Sequence, residues 1–469
     1  MTEEIFVSPA ESARQYGFTE KVRGIIKEKY GDPKVFVITY GCQQNEADSE
    51  RLLGIALECG YSRAEKAEDA DLIIINTCAI REHAEKKALS GAGSFKKLKE
   101  ARGDRVLAVC GCMPQQEYRA DQIDKSYPYV DLVFGTDRGH LLAEMLYEVL
   151  VSGKRRRFVS DLPHDRLGVI AEDVPVCRES SYKAWVSVMY GCNNFCTYCI
   201  VPSVRGRERS RDPERIIDEV KSLVSGGCRD ITLLGQNVNS YSGGIGFPEL
   251  LDKLARIDGD FRLRFMTSHP KDASDRLTDV MAAHPEKIAR HFHLPAQSGS
   301  DRILKAMNRR YTREKYMGIV KQIREKLPDA AITTDIICGF PGETDADFED
   351  TVSLIREVGF DMIYTFVYSP RPGTAAAEMP DQIPHEIKVS RFSRLADIQN
   401  GISARINERC VGKTFRVLSD GDGTGRSSQN KIISYDKVLP AGVFADVKIT
   451  EAQAYALKGT IILKGQEKA

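Results

Sequence analysis

The chain has no long hydrophobic run. Nowhere in its 469 residues do apolar side chains approach the roughly 18 in succession that a membrane-spanning helix needs, so a membrane protein of that kind is excluded. It has no excess of either charge, with 67 Lys and Arg against 67 Asp and Glu. A chain that coats nucleic acid through bulk positive charge is thereby disfavoured, while local basic patches stay open. It also lacks the composition of collagen or of a disordered chain, since 37 Gly and 19 Pro are ordinary usage and 42% of residues are hydrophobic. The opening MTEEIFVSPAES has no basic start leading into an apolar stretch, so no secretory leader is expected and the expected location is cytoplasmic. Cysteine, at 12 residues, is too sparse for a disulfide scaffold, and a cytosol would keep such pairs reduced. What is present is enough chain for about three domains and a set of cysteines whose positions must decide their meaning.

The pattern divides the chain into five parts. Residues 1–32 read as a mixed-charge leader with one helix near 19–29. Residues 33–152 alternate apolar strands (VFVIT 35–39, DLIIIN 71–76, RVLAV 105–109, VDLVF 130–134) with helices over 46–59, 81–100 and 138–150. Continuous apolar strands separated by helices predict a parallel α/β sheet covered on both faces, of flavodoxin-like type. A polar connector, opened by Lys154–Arg157, spans 153–180. Residues 181–405 repeat strand and helix, with strands at 184–188, 231–235, 264–268, 291–295, 332–340 and 362–368 and a final helix over 384–409. That repetition predicts a whole or partial β/α barrel, with chemistry at the strand C-terminal ends. Residues 406–469 carry short β-like runs between Gly and Asp turns, with a slight positive lean, and read as a small all-β barrel.

The densest signal is Gly191-Cys192-Asn193-Asn194-Phe195-Cys196-Thr197-Tyr198-Cys199, directly after a predicted barrel strand. Three thiolates at i, i+4 and i+7 suit a tight loop around one cluster, ligating three irons of a four-iron cube and leaving the fourth open for an amine and carboxylate chelate. The competing readings are zinc, which in a structural site wants four protein ligands and finds no nearby His, and plain redox chemistry, in which disulfide pairing strands the odd thiol. The spacing C-x3-C-x2-C, with an aromatic before the last Cys, resembles the radical S-adenosylmethionine superfamily. That resemblance implies that Cys192, Cys196 and Cys199 hold a 4Fe–4S cluster, that S-adenosylmethionine binds its open iron, and that Tyr198 lies against the adenine. Ser225-Gly226-Gly227 resembles the backbone motif that receives the methionine amino group, although a Gly-Gly helix stop accounts for the same residues.

A second set is dispersed. Cys42, Cys78 and Cys112 each follow a predicted strand of the first domain, and parallel strands bring their C-terminal ends to one sheet edge. Cys59 falls on an apolar helix face, and Cys110 lies closer to its strand than Cys112, which is the better ligand. Two open triads, one dispersed in a leading α/β domain and one in a barrel, together with a short β module like the RNA-binding TRAM module, resemble the methylthiotransferase family from about Lys34 to Gly465. Members attach a methylthio group to adenosine 37 of tRNA or to an aspartate of a ribosomal protein. MYGCNNFCTYCIVPSVRGRERSR (189–211), LLGQNVNSY (233–241), HLPAQSGSDRILKAMNRRYT (293–312) and TDIICGFPGETDADF (334–348) resemble the branch that acts on N6-isopentenyladenosine. Tyr190, Cys338 and Gln429 depart from its pattern. Cys177, Cys228, Cys338 and Cys410 have no triad context and read as structural.

The resemblance implies a second 4Fe–4S cluster on Cys42, Cys78 and Cys112, with sulfur associated with it, and two molecules of S-adenosylmethionine, one a methyl donor and one a radical source for the C–H bond at C2. It implies a tRNA anticodon stem-loop bearing isopentenyladenosine as substrate, an electron donor of reduced flavodoxin or ferredoxin type, no membrane, and a monomer. Gln236, Asn237, Asn239, Gln297, Ser298 and Asp335, near strand ends, are candidates for cofactor or substrate contact, each equally able to cap a helix or satisfy a loop. His291 and His293 share a strand face and read first as packing residues. Arg205, Arg207, Arg209 and Arg211 form the best patch for RNA phosphates, against a salt-bridged face with Glu208 and Glu214. The alternatives are a methylthiotransferase for a ribosomal-protein aspartate or for threonylcarbamoyladenosine, a non-enzymatic RNA-binding protein with structural clusters, and a flavodoxin-like carrier fused to a barrel.

Overall fold

A strand whose residues are all apolar has to be covered on both sides, and LIIINT at 72–77 is buried at every position. The computed structural model describes residues 6–80, 82–159 and 168–462. Residues 1–5 of the expected leader, residue 81 of an expected helix, 160–167 of the expected connector and 463–469 of the final module lie outside the described residues. The chain divides into two compact units, one holding 1–179, 187–194 and 199–211, the other 180–186, 195–198 and 212–469.

In the first unit α1 (Pro9–Tyr30) precedes β1 (Lys34–Tyr40), α2 (Gln43–Glu58), β2 (Ser62–Arg63), β3 (Leu72–Thr77), α3 (Glu82–Ser94), α4 (Lys96–Ala101), β4 (Val106–Gly111), α5 (Glu117–Ser126), β5 (Leu132–Phe134), α6 (Leu142–Ser152) and β6 (Arg156–Phe158). The strands pair in the order β2-β1-β3-β4-β5-β6, all parallel. This is the expected flavodoxin-like doubly wound sheet, with its change of winding direction beside β1 and β3. One apolar cluster under the sheet includes Ile74, Ala108, Leu132 and Leu146, and another on the opposite face includes Ile73, Ile75, Leu107 and Val133. The expected short helix of the leader is 22 residues long and buries Val22 and Ile26 in the first of these clusters. The expected helix 81–100 is interrupted between Ser94 and Lys96, and α5 was not anticipated. Part of the expected connector is β6, an edge strand whose arginines pair with Asp121, Asp124 and Glu148.

The second unit begins with β7 (Lys183–Ser187). The chain then returns to the first unit as β8 (Met189–Tyr190), α7 (Val201–Arg205) and β9 (Arg209–Ser210), the two strands pairing antiparallel. After that come α8 (Pro213–Ser225), β10 (Asp230–Leu234), α9 (Phe247–Ala255), β11 (Arg262–Phe265), α10 (Asp275–Ala283), β12 (His291–His293), α11 (Asp301–Ala306), α12 (Arg313–Lys326), β13 (Ala331–Cys338), α13 (Asp345–Val358), β14 (Met362–Val367) and α14 (His385–Glu408). Two three-stranded sheets, β11-β10-β7 and β12-β13-β14, are bridged at Leu263 and Ile288, which makes a partial barrel. The helices start where their caps say: the Asp212 carboxylate accepts from the amides of Glu214 and Arg215, and Thr312 and Thr344 do the same for α12 and α13. The chain closes with β15 (Thr414–Ser419), β16 (Thr424–Ser427), β17 (Ile432–Tyr435), β18 (Phe444–Ala452) and β19 (Leu457–Ile461), a five-stranded closed barrel around Val417, Ile433, Val447 and Leu457.

Candidate cluster-binding sites

Three loops leave the C-terminal ends of β1, β3 and β4, and each carries one thiol of the dispersed set. Cys42 caps the N-terminus of α2. Cys78 follows β3, its amide donating to the Tyr40 carbonyl at 3.0 Å, and Cys112 follows β4, its amide donating to the Thr77 carbonyl at 2.8 Å. Gly111 allows the last step. Its φ is +100°, and a Cβ there would sit 2.3 Å from Asn76 Oδ1 and 2.4 Å from the Thr77 carbonyl. The turn carries Cys112 out of the strand, while Cys110 stays in the apolar core with Ile74 and Phe134.

The three thiols lie near one another. The neighbouring Cys78 thiol lowers the Cys42 thiol to about 5 with help from the Arg205 charge, while that nearness and burial push Cys78 up. Burial also raises Cys112, against the charge and a hydrogen bond from Arg205. Asn45, fully buried, ties the group together. Its Oδ1 accepts from Cys42 Sγ at 3.3 Å, and its Nδ2 donates to the Thr77 carbonyl at 3.1 Å and lies 3.9 Å from Cys112 Sγ. Asn76 braces it in turn through the Asn45 carbonyl at 2.8 Å and Ser49 Oγ at 2.9 Å. Thiols are the donor type an iron–sulfur cluster takes, and among the described residues no three such side chains are already gathered as a metal site.

Arg205 and Arg211 are therefore not part of an RNA-facing patch. Arg205 is 7% exposed and pairs with Asp48 at 2.8 Å, and Arg211 is 3% exposed and pairs with Glu172 at 2.6 Å. Arg209 donates to the carbonyls of Arg205 and Arg207, which leaves Arg207 as the exposed member. Arg205 ends α7, Gly206 turns the chain with φ +72°, and β9 holds only Arg209 and Ser210, so the four arginines do not lie on one strand and did not make one surface.

The loop 191–199 is fixed at both ends. In the first unit Gly191 has φ +75° and packs so closely that a Cβ would meet the Arg207 carbonyl at 2.0 Å. The Cys192 amide donates to the Gly206 carbonyl at 3.1 Å, and the Asn194 amide lies 3.4 Å from Cys192 Sγ. In the second unit Thr197 donates from its amide to Met307 and from its hydroxyl to Ala306, and Tyr198 packs with Ile303, Met307 and Phe340. Cys196 Sγ accepts from Arg309 Nη1 at 3.5 Å. Cys192 and Cys196 are buried, and Cys199 is half-buried.

Within the second unit, the strand C-terminal ends present polar atoms with nothing to bond. Gln236 Oε1, both amide atoms of Asn239, Ser268 Oγ and Gln297 Oε1 are buried without partners. Such atoms are costly unless a ligand answers them, so Gln236, Asn239 and Gln297 fit the expected cofactor contact and Ser268 joins them unforeseen. Gln297 holds φ +68° between two bonds to β13, from its amide to the Asp335 carbonyl and from the Ile337 amide to its own carbonyl. Asn237 is otherwise engaged, accepting from the His269 amide and donating to Asp272. Ser298 faces Thr351 and takes the Ser300 amide. Asp335 is half-buried with His293 Nε2 at 3.5 Å. His291 and His293 both bond Thr333 Oγ1, and burial holds His291 neutral, at about 3. Ser225-Gly226-Gly227 is the exposed stop of α8, three residues before β10 begins, at the N-terminal edge of the sheet. A helix that runs back from the strand tops ends at the wrong end for the cofactor, and the methionine-binding role is withdrawn.

The remaining cysteines pack. Cys59 is in the core of the first unit, Cys228 donates to the Tyr182 carbonyl, Cys338 to Phe366 and Cys410 to Ile406, and Cys177 lies against the first unit's core. No helix among the described residues is long and apolar enough to cross a membrane.

Residues 186–355 match the model of the radical SAM superfamily, and residues 34–135 match that of an uncharacterized protein family, UPF0004. The chain is 47% identical to a tRNA-2-methylthio-N(6)-dimethylallyladenosine synthase of Acetivibrio thermocellus over 98% of each chain, and 46% identical to one of Caldicellulosiruptor saccharolyticus over 96% of this chain and 97% of that one. Among solved structures, the radical S-adenosylmethionine methyltransferase TsrM of Kitasatospora setae superposes over 83% of this chain and 79% of its own at 15% identity and a TM-score of 0.53, a likeness of fold.

Proposed function

The chain belongs to the family of tRNA-2-methylthio-N(6)-dimethylallyladenosine synthases, and from that membership we propose how its residues divide the reaction. The protein is a radical S-adenosylmethionine methylthiotransferase that converts N6-isopentenyladenosine of tRNA to its 2-methylthio derivative. The observation that supports the reading is the placement of Cys42, Cys78 and Cys112 just after the adjacent parallel strands β1, β3 and β4, in a chain that also has the C-x3-C-x2-C loop. When bound, the two clusters and S-adenosylmethionine supply the carbon radical, the sulfur and the methyl group, chemistry beyond any side-chain acid or base.

The protein's own residues bind, orient and exclude. Cys192, Cys196 and Cys199 would hold one cluster, and Cys42, Cys78 and Cys112 the other. Gln236, Asn239, Ser268 and Gln297 are assigned to the polar atoms of cofactor or adenosine, since each leaves a buried polar atom unanswered near the strand ends. Tyr198, held by the apolar cluster at Ile303 and Met307, offers the ring for stacking. Arg207 and the C-terminal barrel take the RNA, in keeping with the way single-stranded loops are read by shape and stacking. A reduced flavodoxin or ferredoxin-type donor, a monomeric state and a cytoplasmic location complete the proposal, and the absence of disulfides among the described cysteines fits a reducing compartment.

Anaerobic reconstitution with iron and sulfide, followed by reaction with isopentenylated tRNA, S-adenosylmethionine and a reductant, should give the methylthio nucleoside and 5′-deoxyadenosine by mass spectrometry. Cys192→Ala should abolish both. Cys42→Ala should remove the nucleoside product and leave S-adenosylmethionine cleavage. Modification of a ribosomal-protein peptide, or of threonylcarbamoyladenosine tRNA, in place of the isopentenylated substrate would overturn the substrate assignment.

A further inference from the structure

Arg309 is 8% exposed, yet no carboxylate among the described residues pairs with it. Its Nη2 donates to the Pro295 carbonyl at 2.8 Å, its Nε to Tyr311 Oη at 3.0 Å, and its guanidinium carbon lies 5.1 Å from the centre of the Tyr311 ring. The remaining donor, Nη1, points at Cys196 Sγ, 3.5 Å away. A guanidinium withdrawn from water needs an anion, because carbonyls and an aromatic face return only part of its hydration. Arg205, beside the other thiol set, differs in having a carboxylate partner, Asp48 at 2.8 Å.

We propose that Arg309 is a positioning residue for the radical cluster, its uncancelled charge and N–H donor stabilising the Cys196 thiolate and setting the reduction potential of the cluster on that loop. The inference rests on the assignment of Cys192, Cys196 and Cys199 as cluster ligands. Adding an electron to a cluster adds negative charge, and a cation with a hydrogen bond to a ligand sulfur favours the reduced state. Arg309 therefore raises the potential and eases reduction by a weak donor.

The test is an EPR-monitored redox titration of the full-length, two-cluster protein, following the signal that changes on adding S-adenosylmethionine. Arg309→Gln should keep wild-type iron and sulfide content. At a fixed potential its ratio of reduced to oxidised cluster should fall at least tenfold, about 59 mV for one electron. Arg309→Lys, which keeps the charge, should recover most of that loss. An Arg309→Gln protein with full iron content and an unchanged potential would overturn the proposal and leave the cluster assignment standing. A wild-type chain with no signal that responds to S-adenosylmethionine would instead overturn the assignment itself. Should Arg309→Gln not fold, the unmodified chain labelled with 15N-arginine provides the second measurement. The reduced, cofactor-sensitive signal should show 15N and exchangeable-proton couplings, and their absence would refute the contact.

Discussion

Asn45 spends both ends of its amide inside the first thiol site, Oδ1 on Cys42 and Nδ2 on the Thr77 carbonyl and toward Cys112. It has no water to fall back on, so removing it strands several buried groups at once, at about 1–3 kcal/mol for each one left unsatisfied. Asn45→Ala should lower the stability of the first unit by about 2–4 kcal/mol in urea unfolding. It should also reduce iron per chain by about half on reconstitution, through loss of one 4Fe–4S cluster of the two. Full iron content in a folded Asn45→Ala protein would show that the amide does not organise the site. The two sets of three thiols were singled out by their places after strand ends and in one loop together with the family resemblance. Asn45, Arg205 and Arg309 could not be found that way. Their partners lie 67 residues away (Cys112), 157 (Asp48) and 113 (Cys196), and only the finished fold brings them together. The RERSR arginines failed for the converse reason: charge is visible in a sequence, but the carboxylate waiting inside is not.

Elements were more legible than their partners. Most strands of the partial barrel fall on apolar runs, whereas β11 (RLRF) lies at 262–265 rather than the expected 264–268, and the helix starts are marked by Asp212, Ser274, Ser300, Thr312 and Thr344, whose side chains accept from the first turn. What polarity concealed was α1, whose mixed charge hides a narrow buried stripe of Thr19, Val22 and Ile26 packed on the first unit. Ile26→Ala should cost about 2–5 kcal/mol, the usual loss for a large aliphatic side chain in a close-packed core. The check is a shift of the first unit's unfolding transition, with the C-terminal barrel unaffected. A change below about 0.5 kcal/mol would mean that α1 is a loose appendage, since that is the range of surface substitutions. α8 gives the opposite lesson. Its Gly-Gly stop resembled a ligand motif, and its place three residues before β10, the sheet neighbour of β7, decides against it.

At the scale of the whole molecule, equal numbers of positive and negative residues mean that pH acts through a few buried groups. Burial lowers His140 to about 4, His269 to about 2 and His291 to about 3, with the Arg309 charge contributing at His269. The unfolded chain protonates these rings near 6.5 and the folded chain does not, so their contribution is complete above that pH and is lost as pH falls below it, at up to about 1.4 kcal/mol per pH unit for each. The thermal midpoint of the cluster-free protein should fall from pH 8 toward pH 5, gently while the Cys42 thiolate alone responds and more steeply below about 6.5 as the imidazoles join it. A midpoint unchanged down to pH 5 would place the imidazoles in water. The same cluster-free chain has a further property, set by the nearness of Cys78 to Cys42. A low-pKa thiolate beside a second thiol is a nucleophile next to its own resolving partner. Once the metal is gone, oxygen can take two electrons and two protons from the pair and leave a cystine where the ligands stood. Handling in air would then consume the site before any denaturation, and a thiol reductant would have to reopen it before iron could return.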